Sequence, residues 1–574
     1  MANLNTRAQA ANTYDAIVVG SGMSGGWAAK ELTEKGLKTL VLERGRQVRH
    51  LADYPTATTA PWETKYPRGK LPDALMKSRY PKQERTGYAL TEYTQHFFVR
   101  DDEHPYTETQ RFDWIRGYHV GGRSLLWARQ VYRHSDLDFE ANAREGVGVD
   151  WPIRYADIAP WYDHVERYIG VSGAREGLPQ LPDGVFQPPM EFNCVEKDLK
   201  SRIEARYPDR RMTIGRVAHI TAPTPEQTAL GRASCQHRNM CSRGCPFGAY
   251  FSSNSVTLVS AGRTGAMTLK PDSTVTSILY DEARGRAAGV RVLEASGREV
   301  DYFAKVVFLC ASAMNTAWVM LNSPSRRFPN GFGNDSDQVG RNIMDHHLGV
   351  GAAGQAEGHA DMYYSGRRPN GVYVPRFRNL GDAASRRADY LRGFGYQGGA
   401  ARGNWDRAVE GFGAARKAAL TQPGPWSVRL GGFGEMLPNP ENRMTLNKAV
   451  LDRQGLPTVT FDVNIGDNER AMRRDMKASA AEMLEAAGVQ NVRELDGDYG
   501  AGLGIHEMGT ARMGRDPRTS VLNAHNQVHA CPNVYVTDGA AMASSSCVNP
   551  SLTYMALTAR AVAHAVDAGK RGEL

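Results

Sequence analysis

Residues 14–45 read YDAIVVGSGMSGGWAAKELTEKGLKTLVLERG, and this stretch decides the fold. The run from Asp15 to Gly20 is short and apolar, as in a strand buried on both faces, and Trp27 to Lys35 has helical character. Between them Gly20, Gly22 and Gly25 fall in the G-x-G-x-x-G spacing. Leu37 to Leu42 is a second apolar strand that ends at Glu43. In such a strand–turn–helix unit the glycines give a tight turn, a bare backbone for a pyrophosphate and close helix–strand packing, while the carboxylate accepts ribose hydroxyls. The anion sits on free N–H groups at the helix start. A glycine-rich turn without a ligand would share the spacing but has no need of a carboxylate closing the next strand.

Working outward, the chain has 574 residues, of which 41% are hydrophobic and 23% charged, as in ordinary soluble proteins. A net charge of +8 is spread over 70 basic and 62 acidic side chains, and no basic block is interleaved with aromatics. Nucleic acid is therefore not an expected partner. The longest apolar run, Val306 to Met314, is far short of the roughly 20 residues a membrane helix requires. The opening MANLNTRAQAANTYD is polar and has no secretory apolar core or twin-arginine pair. The expectation is export on a partner's signal to the periplasm, or residence in the cytoplasm.

Beyond Gly45 a long polar, Pro- and Tyr-rich stretch, residues 51–110, reads as a covering loop. Gly121 and Gly122, in RGYHVGGRSLLWARQVYR (116–133), let a backbone approach a ligand, although a plain tight turn would use the same pair. Residues 150–173 read as an amphipathic helix with core aromatics. Cys235, Cys241 and Cys245 follow C-x5-C-x3-C-P, the densest part of an odd set of seven cysteines. Three close thiolates are costly without a metal to neutralise them. A three-iron cluster is complete with three, zinc would need His237 as a fourth ligand, and ordinary thiols are the remaining reading. Thr268 to Val292 and Arg298 to Leu309 read as strands, Val306 to Leu321 as a strand running into a helix, and Asp467 to Ala487 as a helix capped by Asp467. Residues 349–428 show little periodicity and are expected to include a loop over a substrate mouth.

Five segments in this order, the fingerprint with Glu43, Gly-Gly-x-Ser at 121–124, GRNIMDHH at 340–347, HEMGTARMG at 506–514 and CVNPSLT at 547–553, resemble the glucose-methanol-choline (GMC) flavoprotein oxidoreductases. The resemblance implies an α/β fold: a Rossmann-like FAD-binding domain (13–50, 111–134, 255–347 and 500–574) with a discontinuous α+β substrate domain (135–254 and 348–499), the latter carrying the Cys-rich segment 233–255. It implies His506 as the base beside the flavin and Asn549 as its partner. A histidine suits that task because its pKa lies near neutrality, and an amide can orient a substrate oxygen. His346 and His347 are read as structural. The expected cofactor contacts are Gly20, Gly22, Met23, Ser24, Gly25, Glu43, Arg44, Gly121, Gly122, Ser124, Leu126, Val275, Ala311, Asp538, Gly539, Asn549, Ser551 and Leu552. Leu126 stands where covalently flavinylated members have histidine, so the FAD is expected to be noncovalent. The cysteine spacing resembles the 3Fe-4S segment of gluconate, fructose and glucose dehydrogenase large subunits, although Gln236 replaces a second cysteine found in some. The opening segment, the Tyr-rich loop and GGRSLLWARQ look most like glucoside 3-dehydrogenases, which oxidise a sugar C3 hydroxyl. A small subunit carrying the export signal and a c-type cytochrome or quinone acceptor are implied partners, and a gluconate, fructose or sorbitol dehydrogenase large subunit is the alternative.

Overall fold

The computed structural model describes residues 10–362, 370–403, 409–497 and 499–574. The reading of the polar N-terminus falls largely on residues 1–9, and that of the 349–428 loop partly on 363–369 and 404–408; these lie outside the described residues.

The fingerprint strand, Thr13–Val19, sits at the centre of an eight-stranded sheet. It pairs in parallel with Thr39–Leu42 on one side and Glu299–Leu309 on the other, and Cys531–Val536 continues the parallel order beyond the latter. The registers align Val19 with Leu42 and with Leu309, and Leu309 with Val536. Four strands therefore end along one edge, where ligands of open α/β sheets bind. Ile17, Val18, Leu40, Val41 and Val307 are fully buried, each stabilising the sheet by about 1.5–3 kcal/mol. Ser273–Asp281 and Arg286–Glu294 complete an antiparallel flank. The helices Met23–Glu34 and Ser551–Lys570 pack on each other against this sheet.

Two glycines make the crossing possible. Gly20 has φ +95°, and a Cβ there would press on the Cys310 carbonyl; a Cβ on Gly25 would strike the Gly20 carbonyl oxygen. The helix starts at Met23, four residues before the stretch with a helical pattern, because Gly25 and Gly26 lie inside its first turn and mask the periodicity.

A six-stranded antiparallel sheet runs in the order Gln490–Asp496, His346–Ala356, Trp426–Glu435, Phe394–Arg402, Val372–Val374, Thr213–Ile214. The helix Asp467–Ala486 covers it with Met472, Met476 and Met483, all fully buried. Its N-cap is Gly466; Asp467 is the first helical residue, where its charge still favours the helix N-terminus. Much of 349–428 is thus sheet: Gly351, Gly354, Gly371 and Gly398 sit where strands approach too closely for a Cβ, which erased the alternating pattern. The 51–110 stretch wraps the nucleotide edge in short helical turns, among them Asp73–Arg79. No helix of the described residues is long and apolar enough to cross a membrane.

Candidate active site

A cavity opens along the carboxyl edge of the first sheet and continues to the second. Its lining runs without a break from the glycine fingerprint to His506 and Asn549, so a nucleotide cofactor and a substrate would share one cavity. Gly20, Gly22, Met23, Ser24, Glu43, Arg44, Gly122, Ser124, Leu126, Val275, Ala311, Asp538, Gly539, Asn549 and Ser551 line it, together with His506. Gly25, Gly121 and Leu552 do not. Gly25 serves helix–strand packing, Gly121 donates its N–H to Ser21 Oγ at 2.9 Å, and Leu552 is fully buried in the last helix.

At the nucleotide end the helix beginning at Met23 has Gly22 as its N-cap and no capping side chain, so its first N–H groups are left for a ligand. Glu43 Oε2 accepts from Ser21 N–H (3.2 Å) and Oγ–H (2.6 Å), and Oε1 from Gly45 N–H (3.0 Å). Burial raises its pKa. Its oxygens thus tie the glycine turn to the next strand as well as facing the cavity. Arg44 pairs with Asp452 and lies over the Tyr118 ring, 4.7 Å from its centre. Asp538, beyond the strand Cys531–Val536, accepts from Thr316 Oγ1 (2.5 Å) and Ala540 N–H (2.9 Å), while burial pushes it up to about 6.

At the other end His506 faces the cavity. Asn549 Nδ2 lies 3.2 Å from His506 Nε2, and His506 Nδ1 lies 2.8 Å from His346 Nδ1. His346 Nε2 is 2.8 Å from the Ser546 carbonyl oxygen. On the far side Asn549 Oδ1 accepts from Gln397 Nε2 (2.6 Å), whose Oε1 accepts from Gln130 Nε2 (2.7 Å), whose Oε1 accepts from the Tyr132 hydroxyl. Asp345 fixes the backbone of the His506 loop: its two oxygens accept the N–H groups of Gly502 (2.9 Å), Gly504 (2.8 Å) and His506 (3.0 Å). Burial, with the Glu507 charge nearby, pushes the Asp345 carboxyl up to about 7 against the pull of those donors. Ile505 is held at φ +59°, a conformation costly for a β-branched residue. Arg123 meets Glu507 through two parallel bonds of 2.9 and 2.5 Å. Burial first, then the His346 ring and Arg123, holds the His506 pKa well below its ordinary value, so the ring is neutral at pH 7.

Two family models cover most of the chain, GMC oxidoreductase N-terminal over residues 14–348 and GMC oxidoreductase C-terminal over 438–558. The chain belongs to the GMC oxidoreductase family. This GMC oxidoreductase is 26% identical over 579 residues to the fructose dehydrogenase large subunit of Gluconobacter japonicus, covering 97% of this chain and 98% of that protein. It is 27% identical to 2-methyl-1,2-propanediol dehydrogenase of Mycolicibacterium austroafricanum, covering 96% and 95%. In structure it resembles a pyridoxine 4-oxidase (TM-score 0.58, 15% identity, 96% and 99% covered), a likeness in fold. Membership makes it a flavoprotein oxidoreductase acting on CH–OH donors. The uncapped helix start and bare glycine turn fit the FAD pyrophosphate the family binds.

Cys235, Cys241 and Cys245 are free and partly buried. Burial raises the Cys235 thiol to about 11, with the charges of Cys241 and Cys245 adding to the rise. Cys241 Sγ lies 3.8 Å from His219 Nε2. Among the described residues, however, no three His, Cys, Asp or Glu side chains are gathered so as to hold a metal ion. The sequence reading missed His346, Asp345, Gln397 and Gln130. His346, expected to be structural like its neighbour, contacts the His506 ring instead; only His347 keeps that description, its ring lying against Gly434 with neither nitrogen hydrogen-bonded.

Proposed function

We propose that this GMC oxidoreductase oxidises a secondary hydroxyl of glucose or a glucoside, at C3, to a 3-keto sugar. The observation that carries the reading is the His506–Asn549 pair at 3.2 Å, set at the inner end of the cavity that the glycine fingerprint opens. FAD, when bound noncovalently, supplies the hydride acceptor. His506 takes the hydroxyl proton at Nε2, the ring nitrogen on the Asn549 side. Asn549, its oxygen held by Gln397, has a second amide hydrogen with which to orient the substrate oxygen. Gln130, Gln397 and the Arg129 guanidinium line the same wall. Such a row of amide and cationic donors suits a polyhydroxylated substrate and disfavours an apolar alcohol.

The finer parts of the reading concern where the electrons go. Three free thiols spaced C-x5-C-x3-C have the donor chemistry of a three-iron cluster, although the described residues do not gather them into a metal site, and a c-type cytochrome or quinone would then accept electrons singly. A small subunit with an export signal, and a periplasmic location, complete this proposal. Iron analysis of the purified protein and of Cys241→Ser tests the cluster; an iron-free active enzyme removes it.

The substrate test is anaerobic bleaching of the flavin by glucose, a glucoside, fructose and gluconate in parallel, with NMR of the product. A 3-keto product is expected. Bleaching by fructose or gluconate alone favours the alternative dehydrogenase reading, to which the 26% identity to a fructose dehydrogenase large subunit lends support.

A further inference from the structure

We infer that His346 is a positioning residue that locks the His506 ring in the Nδ1–H tautomer, so that Nε2 is the unprotonated nitrogen, accepting from Asn549 until a substrate hydroxyl takes that place. The inference rests on His506 being the base.

The hydrogen positions follow from what each end of the chain of bonds can do. Ser546 offers His346 a carbonyl oxygen, which can only accept, so His346 Nε2 carries its hydrogen. In a neutral imidazole Nδ1 is then bare. Two lone pairs cannot share a 2.8 Å contact, so the hydrogen between the rings belongs to His506 Nδ1. A neutral His506 so protonated has an unprotonated Nε2. Burial supports the neutral state of both rings, holding His346 down at about 4.

The opposite end of the chain gives the same answer independently. The fully buried Tyr132 hydroxyl has its own hydrogen to place. Its acceptor is Gln130 Oε1. That choice turns every amide in one direction: Gln130 Nε2 donates to Gln397, Gln397 Nε2 to Asn549, and Asn549 Nδ2 to His506 Nε2. Donors arrive at Nε2 from one side and leave from Nδ1 on the other.

The anchor at Ser546 is built. This residue is held at φ +57°, with its hydroxyl on Asp138 Oδ1 (2.8 Å) and its N–H on Glu435 Oε1 (3.2 Å). A non-glycine residue in that region is strained unless its surroundings hold it there. The result is a carbonyl aimed at His346. The other charged or titratable groups around the two rings are His134, Arg123 with Glu507, and Asp345, whose carboxylate is on the loop backbone.

The test is ¹⁵N NMR of the histidine-labelled holoenzyme at pH 8, with His506→Ala identifying the His506 signals, together with kinetics of His346→Phe. Expected are a protonated Nδ1 and an unprotonated Nε2 on His506 in the native enzyme. In His346→Phe a mixed pattern is expected, with kcat down about 10²-fold, KM within about threefold and flavin content unchanged. A native His506 protonated at Nε2 overturns the inference, as does a His346→Phe enzyme with native kcat and flavin. Where His346→Phe does not fold, the native spectrum decides alone. Full activity in His506→Ala would instead remove the base reading and leave the tautomer still measurable.

Discussion

Asp345→Asn isolates the backbone support of the base from the base itself. The carboxylate is 1% exposed and accepts three N–H groups, two on Oδ2 from Gly502 and Gly504 and one on Oδ1 from His506. An asparagine has one acceptor oxygen. Turned to the two-donor side, it sets its own NH₂ against the His506 N–H, so one buried backbone bond is lost at about 1–3 kcal/mol. Ile505, at φ +59°, is the neighbouring residue with most to gain from relaxing, and the loop's own turn would then carry the ring with it. Misplacing a reacting group by about 1 Å costs on the order of 10² in rate. None of the nucleotide-end cradle touches Asp345, so flavin content should hold. The assay is kcat per bound flavin in native and variant enzyme, with a crystal structure of the variant. A variant with native kcat per flavin, or one whose rate falls while the 502–506 loop stays in place, refutes the reasoning.

His506→Ala should lower kcat about 10²- to 10⁴-fold while the protein stays yellow, since a general base contributes that much and the ring does not hold the nucleotide. Because burial depresses the His506 pKa, the basic form persists at pH 7, and activity falls only as pH drops through a value below 6.5; an acid limb of kcat/KM centred above 7 contradicts this. Gly25→Ala should cost about 3 kcal/mol and most of the bound flavin, because the new methyl meets the Gly20 carbonyl; flavin-to-protein absorbance at native level would argue otherwise. His347 stays neutral in the fold down to about 3, whereas an unfolded ring protonates near 6.5, so its contribution is intact above 6.5 and is lost as pH falls. Removing that titration in His347→Phe should narrow the stability gap to native enzyme by about 2 kcal/mol between pH 7.5 and 5, read from denaturant midpoints.

What could be read beforehand depended on whether the signal was local. The glycine turn, Glu43 and the parallel strands lie within thirty-odd residues, and each glycine has a steric reason visible in its spacing. His506 and Asn549 were legible through the family resemblance, and the cavity brings them together. The support for the base comes from afar: Asp345 and His346 lead into one strand of the second sheet, Gln397 lies in another and Gln130 on the segment after the Gly-Gly turn. No periodicity links them. The antiparallel register that sets His346 opposite Glu435 and His347 opposite Gly434 gives two adjacent histidines opposite fates, because successive strand residues face opposite sides. Adjacent identical residues were thus the one place where a pattern argument had nothing to separate them.

The same chain of bonds bears on where the abstracted proton goes. On the Nδ1 side it ends at a peptide carbonyl, which can hold a hydrogen bond but cannot pass a proton on. A proton taken at Nε2 therefore leaves by the cavity side, past Asn549, and until it does the ring is an imidazolium with no carboxylate in contact. Arg123 makes that cation harder to form, and the paired bonds to Glu507 offset part of its charge. Breaking the pair with Glu507→Gln leaves a half-buried guanidinium beside the ring without its counter-charge. This should move the acid limb of kcat/KM further down in pH and lower the plateau rate, and an unshifted profile would show that the two groups are electrostatically separate from the base.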